Sequence, residues 1–288
     1  MYFSVITPSW NQGEFLRGCI ESVLAQGDPD FEHLIFDNCS NDSTAQVAAG
    51  FPHVRFVAER DRGQSHAVNK GLAAARGEII CWLNSDDEYA PGAFAAVRQA
   101  FADPAVHVVF GDVRQVSYDG RAEEVACGKF DSRLDLVRWW SSRIKLHQPA
   151  VFFRRRVAES MGPLREDLHF AMDYEYWWRI SEKFEFHQLR QVLATQHRQP
   201  ASKTISQWQK VLEERERIFS PFYDLIDGGR PAELAAERKS GLAKQYLGLA
   251  WTAPDPASAR SSLLRAWKES PALVLRPANL GLVWRIFS

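Results

Sequence analysis

Apolar and polar residues alternate along the first hundred positions in a rhythm of short strands and amphipathic helices. Continuous apolar runs predict buried strands at residues 2–7, 31–36, 54–57, 79–83 and 106–110. Apolar residues at helical spacing predict helices over residues 11–25, 44–49, 65–75 and 92–101. Strands separated by helices of this length form parallel βαβ units. The pattern therefore predicts a three-layer α/β/α domain with a mostly parallel sheet.

The rhythm changes near residue 113. Residues 113–118 and 150–153 have strand character beside irregular stretches, so we expect the sheet to become mixed there. A helix dense in aromatic residues is predicted over 173–182. After residue 204 the chain is almost wholly helical, with prolines between the helical segments. We therefore expect an α/β domain over residues 1–205 and a helical C-terminal extension over 206–288.

Composition narrows the class of protein. The 288 residues are 45% hydrophobic and 25% charged, which suffices for a globular core. A formal net charge of −1 provides no general attraction to nucleic acid. The four dispersed cysteines lack CxxC spacing and are typical of reduced thiols in a cytosolic protein. Neither a signal peptide nor the roughly 20 apolar residues of a membrane span are found, so we expect a cytoplasmic location.

Polar residues follow four successive predicted strands at the point where each strand ends. Thr7 and Ser9 follow the first, Asp37 the second, Asp61 the third and residues 84–87 the fourth. In a parallel sheet these loops emerge at one edge, where α/β folds bind their ligands. Carboxylates at this edge can accept hydrogen bonds from a ribose or a base. The sequence therefore predicts one ligand site at this edge.

The motif Asn84-Ser85-Asp86-Asp87 directly follows the buried run at residues 79–83. Two adjacent carboxylates repel each other unless a cation or solvent offsets their charge, and oxygen ligands suit Mg²⁺ or Mn²⁺. Asp86 is the strongest metal candidate because it lies furthest into the turn. The alternative is that Asp86 and Asp87 cap a helix that begins near Pro91.

Two other carboxylates also have structural alternatives. Asp37 could form an Asx turn that caps the helix at Thr44. Asp61 could form a surface ion pair with a neighbouring arginine. In each alternative the carboxylate would have a structural role and would not bind a ligand.

Another carboxylate, that of Asp173, lies at the start of the aromatic helix. The neighbouring rings of Tyr174, Trp177 and Trp178 remove it partly from water, which raises its pKa toward that of a general base, whereas the helix dipole lowers it. Glu175 is the rival base, although it lies two positions along the helix and points to another face. The structural alternative for Asp173 is a plain N-cap.

Six short segments occur in a fixed order along the chain: Ser4–Asn11, Asp37–Thr44, Asp61–Ser65, Asn69–Gly71, Ala75–Ile80 and Asn84–Asp87. Together they resemble the family 2 glycosyltransferases of the GT-A fold, over roughly residues 1 to 205. The resemblance implies a nucleotide-diphosphate sugar donor carrying UDP, dTDP or GDP, a divalent Mn²⁺ or Mg²⁺ and inversion at the anomeric carbon. It also implies a saccharide or lipid-linked saccharide acceptor, in bacterial surface polysaccharide assembly.

Carried over position by position, the resemblance places Thr7, Ser9, Asp37 and Asp61 around the donor nucleotide. Asn84 stands where the metal motif of the family usually begins with aspartate. The substitution leaves one fewer negative charge, so two roles stay open for this position, metal binding and ribose binding. The resemblance implies that Asp86 is the residue that contacts the metal.

The second half of the chain continues the resemblance. Residues 169–179 match the acidic motif of the family in a register that makes Asp173 the catalytic base, with Met172 where many relatives have an acid. His197 resembles a late histidine that completes the metal shell, although a lone histidine is as often structural. Lys203 and Thr204 would contact the diphosphate of the donor.

The C-terminal residues 231–288 carry eight Lys and Arg but four Asp and Glu, for a net charge of +4. Tryptophan and aliphatic residues are interleaved with these charges. Basic helices with tryptophan can lie on an anionic membrane surface, here the inner face of the cell membrane. A helical lid packed on the core, or a dimer contact, explains the pattern equally simply.

Two other functions remain open at the level of sequence. A sugar-nucleotide nucleotidyltransferase would share the α/β core and its metal carboxylates, but it normally has a glycine-rich phosphate loop after the first strand, and residues 7–13 do not form one. A non-catalytic nucleotide-sugar-binding module would keep the donor pocket and need no base. An assay of donor hydrolysis separates the module from an enzyme.

Overall fold

A nine-stranded sheet organises the chain in the computed structural model, which describes residues 2–117, 120–128, 130–141, 145–198, 206–253 and 255–287. The strands are β1 (Phe3–Ser9), β2 (Phe31–Asp37), β3 (Val54–Ala58), β4 (Ile79–Trp82), β5 (Asp87–Tyr89), β6 (Val108–Ser117), β7 (Ala122–Val125), β8 (Val151–Arg154) and β9 (Phe186–Arg198). Their order across the sheet is β3-β2-β1-β4-β8-β6-β9-β5, and β7 pairs with β6.

The sheet has a parallel half and a mixed half. Strands β3, β2, β1 and β4 pair in parallel, as the hydrophobic pattern predicts. Strand β8 then runs antiparallel between β4 and β6, and β5 runs antiparallel to β9. Strands β6 and β9 are parallel to each other. The mixed half begins in the part of the sequence where the strand–helix rhythm changes.

Helices follow most of the strands. They are α1 (Gly13–Leu24), α2 (Thr44–Ala49), α3 (Gln64–Ala74), α4 (Ala93–Ala100), α5 (Leu134–Val137), α6 (Arg155–Met161), α7 (Met172–Ile180), α8 (Trp208–Phe219), α9 (Pro231–Thr252), α10 (Pro256–Glu269), α11 (Pro271–Val274) and α12 (Pro277–Phe287). Short 3₁₀ turns occur at Gln148–Ala150 and Ser220–Leu225.

The central strand β1 is covered by helices on both faces. Phe3 belongs to a buried core with Val23 of α1 and Phe94 of α4, and the rings of Phe3 and Phe94 stack at 4.2 Å between centroids. Ile6 points to the opposite face, because successive side chains of a strand alternate. There it meets Gly71 of α3 so closely that a Cβ at that position would clash. The domain therefore has the three layers that the sequence predicts.

Strand β9 is the largest element that the hydrophobic pattern misses. Of its 13 residues only Leu193 and Ala194 are buried, so the apolar alternation that identifies a strand is weak. Its partner β5 has only three residues and cannot be predicted from the hydrophobic pattern either, because it is defined by its pairing with β9. These two strands extend the sheet beyond the predicted elements.

Helix α4 begins at Ala93, after Gly92 with a positive φ of 80°, and has no side-chain cap. The alternative in which Asp86 and Asp87 cap this helix is therefore wrong. Asp87 instead opens β5, and the backbone N–H of Asp87 donates to the carbonyl of Asn84 at 3.1 Å.

The chain separates into two compact units. The first comprises Met1–Arg133 and Lys145–Ile218 and contains the sheet, and the second comprises Leu134–Ile144 and Phe219–Ser288. Most of α8 therefore groups with the sheet, although it lies beyond the boundary predicted at residue 205. The domain boundary itself stays a prediction.

The second unit is built on helices α9 to α12 around buried side chains such as Leu263 and Leu282. Within it, Trp140 packs edge-on against Tyr223 at 5.3 Å between ring centroids. The same indole lies against Gly241 of α9, where a Cβ would stand 2.6 Å from it. None of the helices in the described part of the chain is both long and apolar enough to span a bilayer.

Candidate active site

The loops that follow β1, β2 and β3 meet at one edge of the sheet and hydrogen-bond to one another. The backbone N–H of Asn38 donates to the carbonyl of Ser9 at 3.0 Å, and that of Glu59 donates to the carbonyl of Asp37 at 2.9 Å. The N–H of Asp61 donates to the side-chain oxygen of Asn38 at 2.9 Å. The predicted convergence of these polar loops is therefore present in the fold.

The first two loops are in backbone contact. One Asp42 carboxylate oxygen accepts from the N–H of Gly13 at 2.9 Å, and the other accepts from the N–H of Thr44 at 3.0 Å. A Cβ at Gly13 would lie 2.7 Å from the Thr44 nitrogen, so glycine is required for this approach. Asn11 has a positive φ of 52°, and its side-chain oxygen accepts from the N–H of Asn41 at 3.0 Å.

Thr7 and Ser9 lie at the end of β1 and are both buried. The hydroxyl of Thr7 lies 2.9 Å from Nε2 of His33, inside the domain. Burial lowers the pKa of His33 to about 3, so this imidazole is neutral at physiological pH. In the described part of the chain, by contrast, the Ser9 hydroxyl is buried without a hydrogen-bond partner. Of the two side chains, that of Ser9 is therefore the one available for a ligand.

The carboxylate of Asp37 is buried and folds back on its own loop. It accepts hydrogen bonds from the N–H of Ser40 at 2.7 Å and from the Ser40 hydroxyl at 2.5 Å. The cap at Thr44 comes from Asp42 instead. The alternative in which Asp37 caps the second helix is thus wrong, and its role at the nucleotide stays a prediction.

Asp61 also bonds within its own turn. Its Oδ1 accepts from the N–H of Gly63 at 2.7 Å. The neighbouring Arg62 pairs with Glu166 at 2.7 Å, rather than with Asp61. The contacts of the described residues therefore favour a turn-forming Asp61 over a surface ion pair, and its proximity to the donor stays a prediction.

Asn84 is the centre of an amide network. Its Oδ1 accepts from Nε2 of Gln64 at 2.8 Å and from Nε1 of Trp82 at 3.1 Å, and its Nδ2 donates to Oε1 of Gln148 at 2.8 Å. Gln148, which is buried, also donates to the carbonyl of Trp82. The side chain of Asn84 is thus engaged by three protein groups. The hydrogen bonds of Gln148 could not be predicted from the sequence, because its partners lie far away along the chain.

Asp86 and His197 come together through the pairing of β5 with β9. Asp87 faces Gln196 in the antiparallel register, which sets His197 beside Asp86. Burial raises the pKa of Asp86, and the nearby His197 acts in the opposite direction. Burial, together with the charge of Asp86, raises the pKa of Asp87 well above its usual range. Asp87 is therefore a buried carboxyl group beside the half-buried carboxyl group of Asp86.

The residues around Asp86 fit a divalent cation that is shared with a ligand. A carboxylate and an imidazole are both ligands of Mn²⁺. Throughout the described ranges, however, no three His, Cys, Asp or Glu side chains converge as a metal cage. Mg²⁺ and Mn²⁺ are commonly held by one or two carboxylates, with substrate phosphates and water completing the shell. Glu88, whose Oε1 lies 3.3 Å from Nε2 of His197, is an additional acidic neighbour.

Asp173 lies half-buried in the first turn of α7. Burial raises its pKa, and the positive charge of Arg215 acts in the opposite direction. One carboxylate oxygen accepts from the N–H of Tyr174 at 2.8 Å. Ala171 occupies the N-cap position, so the plain N-cap alternative for Asp173 is wrong.

The rival base Glu175 is committed to an ion pair. Its Oε1 accepts from Nε of Arg179 at 2.8 Å, one helical turn along α7. Arg179 also donates to the carbonyls of Met161 at 2.6 Å and Pro163 at 2.9 Å. This network anchors α7 and favours Asp173 as the carboxylate that is left for chemistry.

Helix α3, which follows the loop after β3, connects the strand-end loops to the segment that leads into α7. The side-chain amide of Asn69 donates to the carbonyl of Leu164 at 3.0 Å, and the Ser65 hydroxyl donates to the carbonyl of Leu168 at 3.3 Å. The 3₁₀ turn that contains Gln148 links β4 to the strand β8 that follows it. Asp173 and the strand-end loops are thus tied to common elements.

The segments on either side of these elements contain further polar residues. His147 is largely buried, and burial lowers its pKa to about 4. Lys203 and Thr204 lie outside the described residues, so their contact with a diphosphate stays a prediction. The contacts of Glu214 and Arg215 around α7 were not foreseen, because no motif marks them.

Proteins of known class are similar to this chain in sequence. The family model described as "Glycosyl transferase family 2" matches residues 4–162. A PGL/p-HBAD biosynthesis glycosyltransferase of Mycobacterium bovis is 30% identical over 182 residues, which cover 60% of this chain and 67% of the relative. The succinoglycan biosynthesis protein ExoO of Rhizobium meliloti is 32% identical over 120 residues, 41% of this chain. The chain spans 34% of the length of ExoO and 61% of that of an uncharacterized Mycobacterium tuberculosis relative.

Solved structures share the fold. S. aureus TarS in complex with UDP-GlcNAc matches with a TM-score of 0.61 at 16% identity, over 93% of this chain and 90% of that one. The mannosyltransferase PcManGT of Pyrobaculum calidifontis, in complex with GDP-Man and Mn²⁺, matches with a TM-score of 0.60 at 20% identity, over 99% of this chain and 84% of that one. These likenesses confirm the predicted GT-A type of α/β fold. Because the family description also covers more than half of its residues, the chain belongs to glycosyl transferase family 2.

Proposed function

We propose that this protein transfers a glycosyl group from a nucleotide-diphosphate sugar to an acceptor hydroxyl, with inversion at the anomeric carbon. The observation that carries the proposal is the arrangement around the sheet edge, where the strand-end loops and Asp86 are tied through shared elements to the helix that bears Asp173. Membership of the family and the fold shared with nucleotide-sugar-bound enzymes support it.

The chemistry divides between the two sides of the site. A Mn²⁺ or Mg²⁺ ion bound by Asp86 and His197 would offset the charge that develops on the departing diphosphate. Asp173 would accept the proton of the acceptor hydroxyl as its oxygen bonds to the anomeric carbon and the bond to the diphosphate breaks. Attack from the face opposite the diphosphate gives one displacement and therefore inversion.

The amide network of Asn84 favours the ribose alternative for this position over the metal alternative. Its oxygen already accepts two hydrogen bonds, and the neutral side chain adds no charge to attract a cation. We therefore propose that Asn84 shapes the donor loop beside the ribose, while Asp86 supplies the carboxylate that the metal needs.

Relatives suggest the class of substrate. The names of two relatives refer to the biosynthesis of PGL/p-HBAD and of succinoglycan, and two structural neighbours bind UDP-GlcNAc and GDP-Man. We propose a UDP-, dTDP- or GDP-sugar as donor, and as acceptor a saccharide or lipid-linked saccharide of a bacterial surface polysaccharide or glycolipid.

The test begins with the donor. Thermal unfolding is measured with UDP, dTDP and GDP, each with and without Mn²⁺, and the sugar nucleotides of the stabilising base are then assayed for hydrolysis and transfer. We expect stabilisation by one nucleotide that increases with Mn²⁺, followed by turnover. Tight binding without any turnover would instead support a non-catalytic binding module, and pyrophosphorolysis of the donor would support a nucleotidyltransferase.

We also propose that the C-terminal helices contact an anionic membrane surface, where a lipid-linked acceptor is presented. Residues 256–288 carry five basic residues and one acid, so the other 255 residues hold a net charge of −5. Large apolar side chains are exposed in the same segment: Leu264, Trp267, Leu275, Leu280 and Trp284. Exposed tryptophan beside Lys and Arg is the pattern that binds at the headgroup level of anionic bilayers.

Vesicle flotation tests the membrane proposal. We expect the protein to float with phosphatidylglycerol vesicles and not with phosphatidylcholine vesicles, and the double variant Trp267→Ala, Trp284→Ala to lose most of the bound fraction. Trp10→Ala is the matched control, since Trp10 is 63% exposed but lies on the sheet unit. Unchanged flotation, or a concentration-dependent dimer that the double variant abolishes, would contradict the membrane proposal.

A further inference from the structure

Helix α8 holds the backbone that leads into α7 through one carboxylate. Oε1 of Glu214 accepts from the N–H of His169 at 2.7 Å, and Oε2 accepts from the N–H groups of Phe170 at 2.8 Å and Ala171 at 3.0 Å. Donors at a helix start have no acceptor within the helix, so an outside group must satisfy them. Glu214 does so from 43 to 45 residues away, immediately before the turn that carries Asp173.

The adjacent residue of α8 contacts the same turn. The guanidinium carbon of Arg215 lies 4.2 Å from the ring centroid of Tyr174 and 5.5 Å from that of Trp208. One turn away from Glu214, Arg217 donates to the carbonyl of Asp167 at 3.2 Å. Helix α8 thus contacts the catalytic segment on both sides of Glu214.

We propose that Glu214 and Arg215 are positioning residues for glycosyl transfer: Glu214 fixes the start of α7, and Arg215 packs its guanidinium on the ring of Tyr174, the residue next to Asp173. The proposal rests on the proposed role of Asp173 as the base. It assigns to α8, which lies beyond the segment matched by the family, a part in the reaction on the sheet unit.

The two residues act on Asp173 in opposite directions. Burial raises the pKa of Asp173, the charge of Arg215 lowers it, and the charge of Glu214 raises it. The other groups near this turn are Tyr174 itself and Cys127, which lies close enough to Tyr174 to influence it. Glu175 is held by Arg179 on the same helix. The backbone N–H groups of Tyr174 and Asp173 also lower the pKa of Asp173, so its balance depends on burial, on these hydrogen bonds and on the two charges of α8.

Arg215 and Glu214 act on the pKa of Asp173 in opposite directions, so removing their charges should shift the pH profile in opposite directions. A purely structural role would not produce this result. Glu214→Gln removes a negative charge and should move the acid limb of kcat/KM to lower pH. Arg215→Gln removes a positive charge and should move the same limb to higher pH. Each variant should lower kcat roughly tenfold or more, with the KM for the donor nearly unchanged. Glu213→Gln and Lys210→Gln, on exposed positions of the same helix, are matched controls.

Conservative variants keep the test decisive. Glu214→Asp and Arg215→Lys retain the charges, so they should lower kcat while leaving the acid limb close to that of the unaltered protein. If Glu214→Gln does not fold, as judged by circular dichroism, Arg215→Gln and Arg215→Lys carry the test alone, because the backbone anchor stays intact in them.

The outcomes separate this inference from the proposed function. If Asp173→Asn is inactive but the charge-removing variants leave the acid limb unmoved, or move it in the same direction, the positioning role is overturned and the proposed function stands. If Asp173→Asn keeps full turnover, the base assignment fails, and the positioning proposal fails with it.

Discussion

The parallel and mixed halves of the sheet place their functional groups by different means. On the parallel side, the loops after β1, β2 and β3 bond to one another through backbone groups and short side chains of successive βα units. On the mixed side, Asp87 pairs with Gln196, and Glu214 reaches the backbone before α7, so distant segments must meet. The proposed donor side is therefore a product of local structure, whereas the proposed base side depends on long-range contacts.

Substitutions on the two sides should therefore have different effects on donor affinity and turnover. Substitutions in the loops after β1, β2 and β3 should act through close backbone approach, and those at Asp86 through the metal. Both kinds should alter donor affinity together with turnover. Substitutions around α7 should act on proton transfer and leave donor affinity largely intact. Four predictions, in addition to the experiments above, test the division from the largest expected effect to the smallest.

Asp173→Asn should have the largest effect. The amide cannot accept the proton of the acceptor, and general base catalysis typically contributes ~10²–10⁴-fold, so we expect kcat to fall by about a thousandfold. Donor affinity, measured by calorimetry, should be largely retained. Substantial turnover in this variant would move the role of the base to Glu175, despite the ion pair of Glu175 with Arg179.

Asp86→Ala should remove the dependence on metal. We expect a loss of activity of ~100-fold or more, because the charge on the leaving diphosphate is no longer offset. His197→Ala should shift the Mn²⁺ titration to higher concentration with a smaller loss of maximal activity. Unchanged activity of the unaltered protein in excess chelator would falsify the metal assignment.

The buried His33 should make stability depend on pH. The unfolded chain protonates this imidazole near pH 6.5, but the folded chain does so only near pH 3, so the unfolded state binds more protons between these values. The free energy of unfolding should therefore fall by ~1.4 kcal/mol per pH unit as the pH drops below 6.5. His33→Gln should flatten the pH dependence of the urea midpoint, whereas His187→Gln, an exposed control on β9, should not.

Gly13→Ala should separate the first two donor-side loops. The new Cβ would stand 2.7 Å from the Thr44 nitrogen, so backbone must move, and overpacking of this kind costs about 1–3 kcal/mol. We expect a lower melting temperature and weaker nucleotide binding. Gly281→Ala, in a helix where a Cβ meets nothing within 4 Å, should leave the melting temperature equal or slightly raised. Equal effects of the two substitutions would argue against a tight contact between the loops.

The parallel half of the sheet could be predicted from the sequence much better than the mixed half. The parallel strands, the helices between them and the convergence of their loops follow from apolar runs and turn residues. Strand β9 could not be predicted, because most of its residues are polar and its stability comes from pairing with β6 along its length. The contacts of Gln148 and Glu214 could not be predicted either, because they too depend on distant partners. Each acts on a partner more than forty residues away, and neither carries a local signature.

The small number of proposed metal ligands around Asp86 has a consequence for how metal and donor would bind together. A carboxylate and one imidazole hold a divalent ion weakly on their own, whereas a nucleotide diphosphate chelates it well in solution. Asp86 and His197 would therefore hold a divalent ion firmly only together with a bound nucleotide diphosphate, which would supply further ligands. Metal and donor would then show mutual enhancement of affinity, each binding poorly without the other.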